Sequence, residues 1–252
     1  MPETSAVGAN GPRDAERNDE HPLSRRLVAE ALGTFALVFV AVGGDVMAAL
    51  AGGQIGPAAR AVAPGLIVGA LIYSIGDVSG AHFNPVVTAA FALKRVFPAS
   101  LVPGYWAAQL VGAFAAAVVV SILFGDAAAK GVTSPHVVDE ATAVVIEAIL
   151  TALLLTVILG TADRARIVGP DAALAVAATI SLAGLIALPI EGASMNPIRS
   201  LAPALVTGHL DSIWVYVIGP TLGALVAVAI NIFLHGHHAT DPKTRGAAQG
   251  QG

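Results

Sequence analysis

The sequence predicts an all-α polytopic membrane protein: six transmembrane helices plus two re-entrant half-helices, arranged as an inverted 3+3 repeat. Three observations predict it. The 252 residues are 56% hydrophobic and only 12% charged, where a soluble domain averages ~25% charged residues. Six apolar runs approach or exceed the ~20 residues that cross a bilayer as helix. The two halves of the chain also resemble one another, and each carries an Asn-Pro pair between spans.

Residues 1–24 are rich in Pro, Asp, Glu, Asn, Arg and Gly and read as a disordered tail. The first span is about Leu27–Leu50, interrupted only by Glu30 and Asp45, and it is too long for the apolar core of a cleavable signal peptide. The second is about Ala61–Gly76, and the third lies within the uncharged stretch Val96–Gly125. The fourth is about Ala141–Thr161, interrupted only by Glu147; the fifth is about Ala172–Ile190 and the sixth Ser212–Leu234. Trp106 and Trp214 lie near span ends and read as interface anchors. Residues 236–252 read as a second disordered tail, preferred over a metal-binding role for its His cluster. The channel domain is thus 25–235, with repeat one about 25–124 and repeat two about 140–235.

Loop charge orients the spans. With both tails in the cytoplasm, that side holds Arg13, Arg17, Arg25, Arg26, Lys94, Arg95, Arg164, Arg166, Lys243 and Arg245, against Arg60 and Lys130 outside. The positive-inside rule then places both termini in the cytoplasm, in a multi-pass protein of the plasma (cytoplasmic) membrane. A net charge of −4 gives no sign of a nucleic-acid partner, and the absence of cysteine excludes disulfides and thiolate metal sites. There is no HExxH and no GxSxG, and Ser79 and His82 have no orienting acid nearby except Asp77. The expectation is a protein that is not an enzyme, with no cofactor and no metal, whose partners are lipid and permeating molecules.

The repeat has three anchors. Glu30 matches Glu147, and Thr34, Leu37 and Gly43 match Thr151, Leu154 and Gly160, all 117 positions apart. HFNPVV at 82–87 matches SMNPIR at 194–199 with an offset of 112. Tyr105, Ala108, Gly112 and Ala113 match Tyr216, Gly219, Gly223 and Ala224 with an offset of 111. Three spans per half is an odd number, so the second half enters from the opposite face. Such inverted repeats place their working site at the midplane on broken helices. The small residues spaced by four allow close helix approach.

In each half the Asn-Pro pair follows Gly and small polar residues. Asn is a favoured N-cap and Pro a favoured first helical residue, so Asn84 and Asn196 each begin a short helix. Asn84 to Leu93 makes ~15 Å of helix at ~1.5 Å per residue, about half of a ~30 Å hydrocarbon core. The two half-helices therefore meet N-terminus to N-terminus at the midplane, where each carries roughly +0.5 of effective charge. That barrier repels cations, protonated water included. The extended segments before the asparagines are tolerated only if buried in protein or lining a water-filled cavity. In the second case Gly80, Ala81, His82, Gly192 and Ser194 form an acceptor ladder. Arg199, three residues after Asn196, is a costly intramembrane cation; it either faces the pore or pairs with Glu147 or Glu191.

AEALGTF at 29–35, SGAHFNP at 79–85, YWAAQLVGA at 105–113, NPIRSLAP at 196–203 and GPTLGA at 219–224 together resemble the major intrinsic protein (aquaporin/aquaglyceroporin) family over about residues 25–235. The resemblance implies an aquaporin-like fold, a homotetramer of pores, and passive passage of water or small neutral solutes. It implies structural roles for Glu30 and Glu147, which accept backbone N–H groups of the re-entrant loops, and a hydrogen-bonding role for His82. The family's triplet is Asn-Pro-Ala, whereas here Pro85 and Pro197 are followed by Val86 and Ile198. That puts larger apolar groups near the two asparagines. By family spacing the selectivity filter falls on Pro64, Gly184, Ala193 and Arg199. Nothing large opposes the arginine, which implies a wide filter for glycerol, urea or metalloid acids beside water. Ser200, the residue water channels usually have after the arginine, points instead to a strictly water-selective aquaporin. An ion-coupled secondary transporter is a further alternative, disfavoured by the positive helix ends at the midplane.

Overall fold

The computed structural model describes residues 21–162, 170–236, 245, 246 and 248–250. Among the described residues eight α-helices follow one another: α1 Leu23–Leu50, α2 Pro57–Ser79, α3 Pro85–Leu93, α4 Val102–Phe124, α5 Glu140–Ala162, α6 Pro170–Glu191, α7 Pro197–Thr207 and α8 Val215–His235. Six are long and apolar enough to span a membrane, and α3 and α7, with nine and eleven residues, are not. At ~1.5 Å per residue those two are ~13 and ~16 Å long, half-spans.

Most expected spans fall inside these helices, and the differences lie at their ends. α2 starts at Pro57, four residues before the apolar run, because Pro is favoured at the first helical position, and Arg60 in that first turn pairs with Asp45 of α1. α8 starts at Val215 rather than Ser212, after a turn over 211–214. The proposed loop basics Arg164 and Arg166 lie outside the described residues, as do residues 1–20.

Packing follows the repeat. α1 packs on α4, α5 on α8, and α2 on α6 across the pseudo-two-fold axis. Gly112 and Gly223 make the equivalent contacts possible: a Cβ on Gly112 would collide with the carbonyl of Ala31, and one on Gly223 with that of Ala148. Successive spanning helices alternate in direction, which defines a terminal face, where α1 begins and α8 ends, and a far face.

One part of the expected C-terminal tail is ordered differently from the sequence reading. Ala248 is fully buried, in a cluster that includes Val87, Phe91, Leu155 and Leu159, and its carbonyl lies 3.0 Å from His82 Nε2. A polar, glycine-rich segment conceals this because the contact needs only one methyl group and one carbonyl.

Candidate functional site

Each half-helix starts where the sequence puts it. Asn84 and Asn196 sit in extended conformation (φ −156° and −150°) as N-caps. Asn84 Oδ1 accepts from the N–H of Val86 at 3.1 Å; Asn196 Oδ1 accepts from Ile198 at 3.1 Å and Arg199 at 3.4 Å. The amide nitrogens cross over between repeats: Asn84 Nδ2 donates to the carbonyl of Met195 at 2.8 Å, and Asn196 Nδ2 to that of Phe83 at 2.9 Å. An amide nitrogen has two donors, so each asparagine retains a second N–H, and both residues border one cavity.

The loops before the caps are held in an unusual backbone path. Ala81, Phe83, Ala193 and Met195 all have φ between 46° and 53°, a left-handed conformation uncommon outside glycine. Buried acceptors hold it in place. Glu30 Oε1 accepts from the N–H of His82 (2.9 Å) and from Ser79 Oγ (2.7 Å); Oε2 accepts from the N–H of Phe83 (2.8 Å) and from Gln109 Nε2 (2.8 Å). Glu147 accepts from Ser194 N–H at 2.5 Å and Met195 N–H at 2.7 Å. Tyr105 donates to the carbonyl of Ser79, and Tyr216 to that of Glu191.

The two repeats differ in one respect that the sequence reading missed. Subtracting 112 from Glu191 gives Ser79, the partner of Glu30. In the second repeat a carboxyl replaces that hydroxyl: Glu191 Oε1 accepts from the N–H of Ala193 at 2.9 Å, as Ser79 Oγ accepts from that of Ala81 at 3.1 Å. The repeat offset already contained this signal. Thr88 and Ser200 correspond in the same way: Thr88 Oγ1 lies 3.0 Å from His82 Nδ1, and Ser200 Oγ donates to Ser194 Oγ at 2.6 Å.

The cavity runs from Arg60 near the far face to Thr161 near the terminal face. One side is a polar rail made of Gly80, Ala81, His82, Phe83, Asn84, Ala193, Ser194, Met195, Asn196 and Arg199. The other is an apolar wall with helical i, i+4 spacing: Pro64, Val68 and Ile72 on α2, and Val176, Ile180, Gly184 and Leu188 on α6. Between the two ends of the cavity, marked by Arg60 and Thr161, hydrogen bonds are thus offered along the rail, and a permeant keeps the rest of its surface against apolar walls.

The structure places the sequence-derived residues unequally. Pro64, Gly184, Ala193 and Arg199 all border this cavity. Gly184 serves packing as well, since a Cβ there would stand 2.8 Å from the carbonyl of Ala61. Gly192 does not border it; with φ 101° it packs against Thr133 instead. Phe83 and Met195 contribute to the rail, although their carbonyls also receive the asparagine amides. Pro85 and Pro197 open the half-helices. Val86 and Ile198 are buried in separate apolar clusters and are not part of the lining, so the larger groups beside the asparagines occupy core rather than pore. Arg199 pairs with neither Glu147 nor Glu191: its Nη2 lies 3.4 Å from Asp45 Oδ2.

Known proteins share this architecture. The major intrinsic protein family profile matches residues 18–231. The chain belongs to this family. It is 44% identical to aquaporin NIP1-1 of Oryza sativa subsp. japonica over 212 residues, covering 84% of this chain and 75% of that one. Identity to aquaporin NIP3-1 of the same plant is 41% over 209 residues, covering 82% and 67%. Among solved structures, the aquaglyceroporin from Plasmodium falciparum superposes with a TM-score of 0.71 at 26% identity, covering 82% of this chain and 95% of that one. As a major intrinsic protein, the chain is a multi-pass membrane protein that forms a channel for small solutes.

Proposed function

We propose that this channel passes small neutral solutes, such as glycerol, urea or metalloid acids, together with water, and excludes ions and protons. The carrying observation is the composition of the ring around Arg199. Pro64, Gly184 and Ala193 share its cavity, and the aromatic residues of the lining (His82, Phe83 and Phe91) all belong to the first repeat's loop and half-helix. Among the described residues no aromatic side chain of the second repeat borders the cavity beside the arginine to limit solute width. The structural neighbour is an aquaglyceroporin, in agreement with this reading. Ser200 carries little weight against it, because it is fully buried and its hydroxyl bonds Ser194 rather than bordering the cavity.

Ion exclusion rests on the two half-helix N-termini at the centre and on Arg199. Among the described residues the cavity lining has no Asp or Glu, so it offers no carboxylate to a coupling cation, which favours a passive channel over an ion-coupled transporter. We place both chain ends in the cytoplasm, the protein in the cytoplasmic membrane, and four protomers in the assembly, as the loop charges and the family imply.

Stopped-flow light scattering on proteoliposomes tests the reading. Glycerol and urea should cross well above the lipid background. Water flux without solute flux would mean that the Pro64–Gly184–Ala193 ring does not set the width, and the strictly water-selective alternative would replace this one.

A further inference from the structure

The filter arginine is not alone at the far end of the pore. Asp45 of α1 is 8% exposed and joins three helices. Its Oδ1 lies 2.7 Å from Arg60 Nη2 and 2.8 Å from Arg60 Nε on α2. Its Oδ2 lies 3.4 Å from Arg199 Nη2 on α7. Both arginines border the cavity. Among the described residues Arg199 Nη1 has no hydrogen-bond partner, so the carboxylate holds one arm of the guanidinium and leaves the other unpaired.

We propose that Asp45 positions Arg199 and sets the charge of the filter, so that the pore admits neutral solutes while rejecting anions. Two arginines and one aspartate sum to +1 at the mouth; without Asp45 the sum is +2. A wide pore bordered by two uncompensated cations in low-dielectric walls focuses anions, raising their local concentration and entry rate by about ten- to a thousandfold. A filter wide enough for glycerol has less steric means of refusing a small anion than a single-file water filter. The compensating carboxylate therefore matters most in a pore of this kind. The inference rests on the wide-filter reading, but its measurement is different.

The test is anion influx into proteoliposomes carrying a halide-sensitive dye, measured beside glycerol flux for the native chain, Asp45→Asn, Arg60→Gln and the double variant. Asp45→Asn should raise chloride influx at least about tenfold, and adding Arg60→Gln should return it towards the native level by restoring a sum of +1. A purely structural Asp45 would not show that rescue. Arg60→Gln alone, at a partly exposed position that endangers folding least, lowers the sum to zero and should raise potassium leak. Unchanged chloride influx in a folded Asp45→Asn, or unchanged potassium leak in Arg60→Gln, overturns the proposal. Loss of glycerol flux in the native chain would instead overturn the solute reading.

Discussion

Glu30 provides the sharpest check on how the re-entrant loop is held. Its carboxylate is fully buried and accepts four hydrogen bonds, but the four donors do not depend on it equally. Gln109 Nε2 also reaches Thr88 Oγ1 at 3.0 Å, and the Ser79 hydroxyl can rotate. The N–H groups of His82 and Phe83 are fixed in the backbone and have no alternative acceptor. Glu30→Ala therefore orphans two buried donors at about 1–3 kcal/mol each, roughly 2–6 kcal/mol in total. Glu30→Gln keeps one acceptor oxygen and turns an NH2 toward the other donor, which costs one such term, about 1–3 kcal/mol. Chemical unfolding in mixed micelles should rank native above Gln above Ala, with the Ala loss about twice the Gln loss. Water flux should fall in the same order, because the loop carries Asn84. If both variants unfold within about 0.5 kcal/mol of the native chain, Glu30 does not hold the loop and the account given above of its left-handed residues is wrong.

Three further outcomes follow from the geometry. Gly223→Ala places a Cβ 2.8 Å from that of Thr151 and against the Ala148 carbonyl; overpacking of this kind costs about 1–3 kcal/mol, which the same unfolding measurement would show. Asn196→Ala removes an N-cap worth typically ~1 kcal/mol and leaves the Phe83 carbonyl without its donor; it should be less stable than Asn84→Ala, whose side chain caps one N–H rather than two. Pro64→Trp puts a large ring on the wall facing Arg199 and should cut glycerol and urea flux at least about tenfold while sparing water, read by light scattering; a unit in transition-state free energy of ~1.4 kcal/mol corresponds to that factor. Equal loss of water and solute would show that the ring does not sort by width.

Much of the channel was legible in the sequence because its determinants are local. Asn-Pro specifies a helix start through capping and a fixed φ, and both starts fall on the expected residues. Apolar length specifies a span. What escaped depends on how helices turn about their axes, which local pattern does not give. Asp45 registered only as an interruption of the first span, although an intramembrane carboxylate calls for a partner and Arg60 is the next basic residue along the chain. Gly192 was grouped with the rail because its loop is, whereas its own position faces Thr133. The burial of Ala248 had no signal in a polar tail.

The repeat itself separates scaffold from selectivity. Positions that match under the 111 to 117 offsets build the conduit: the capping asparagines, the loop-holding glutamates, and the glycines that bring α1 to α4 and α5 to α8. In the proposed reading, positions that fail to match set what passes. Subtracting 112 from Arg199 gives Val87, from Gly184 gives Ile72, and adding 112 to Pro64 gives Val176; all six border the cavity. The far half of the pore thus presents a cation, a proline and a glycine where the terminal half presents Val87, Val176 and Ile72. A two-fold conduit can carry molecules in either direction, and it needs only one constriction to sort them. Under the proposed function, breaking the symmetry at three residues, with Asp45 beside the charged one, would supply that constriction without disturbing the caps and carboxylates on which both halves depend.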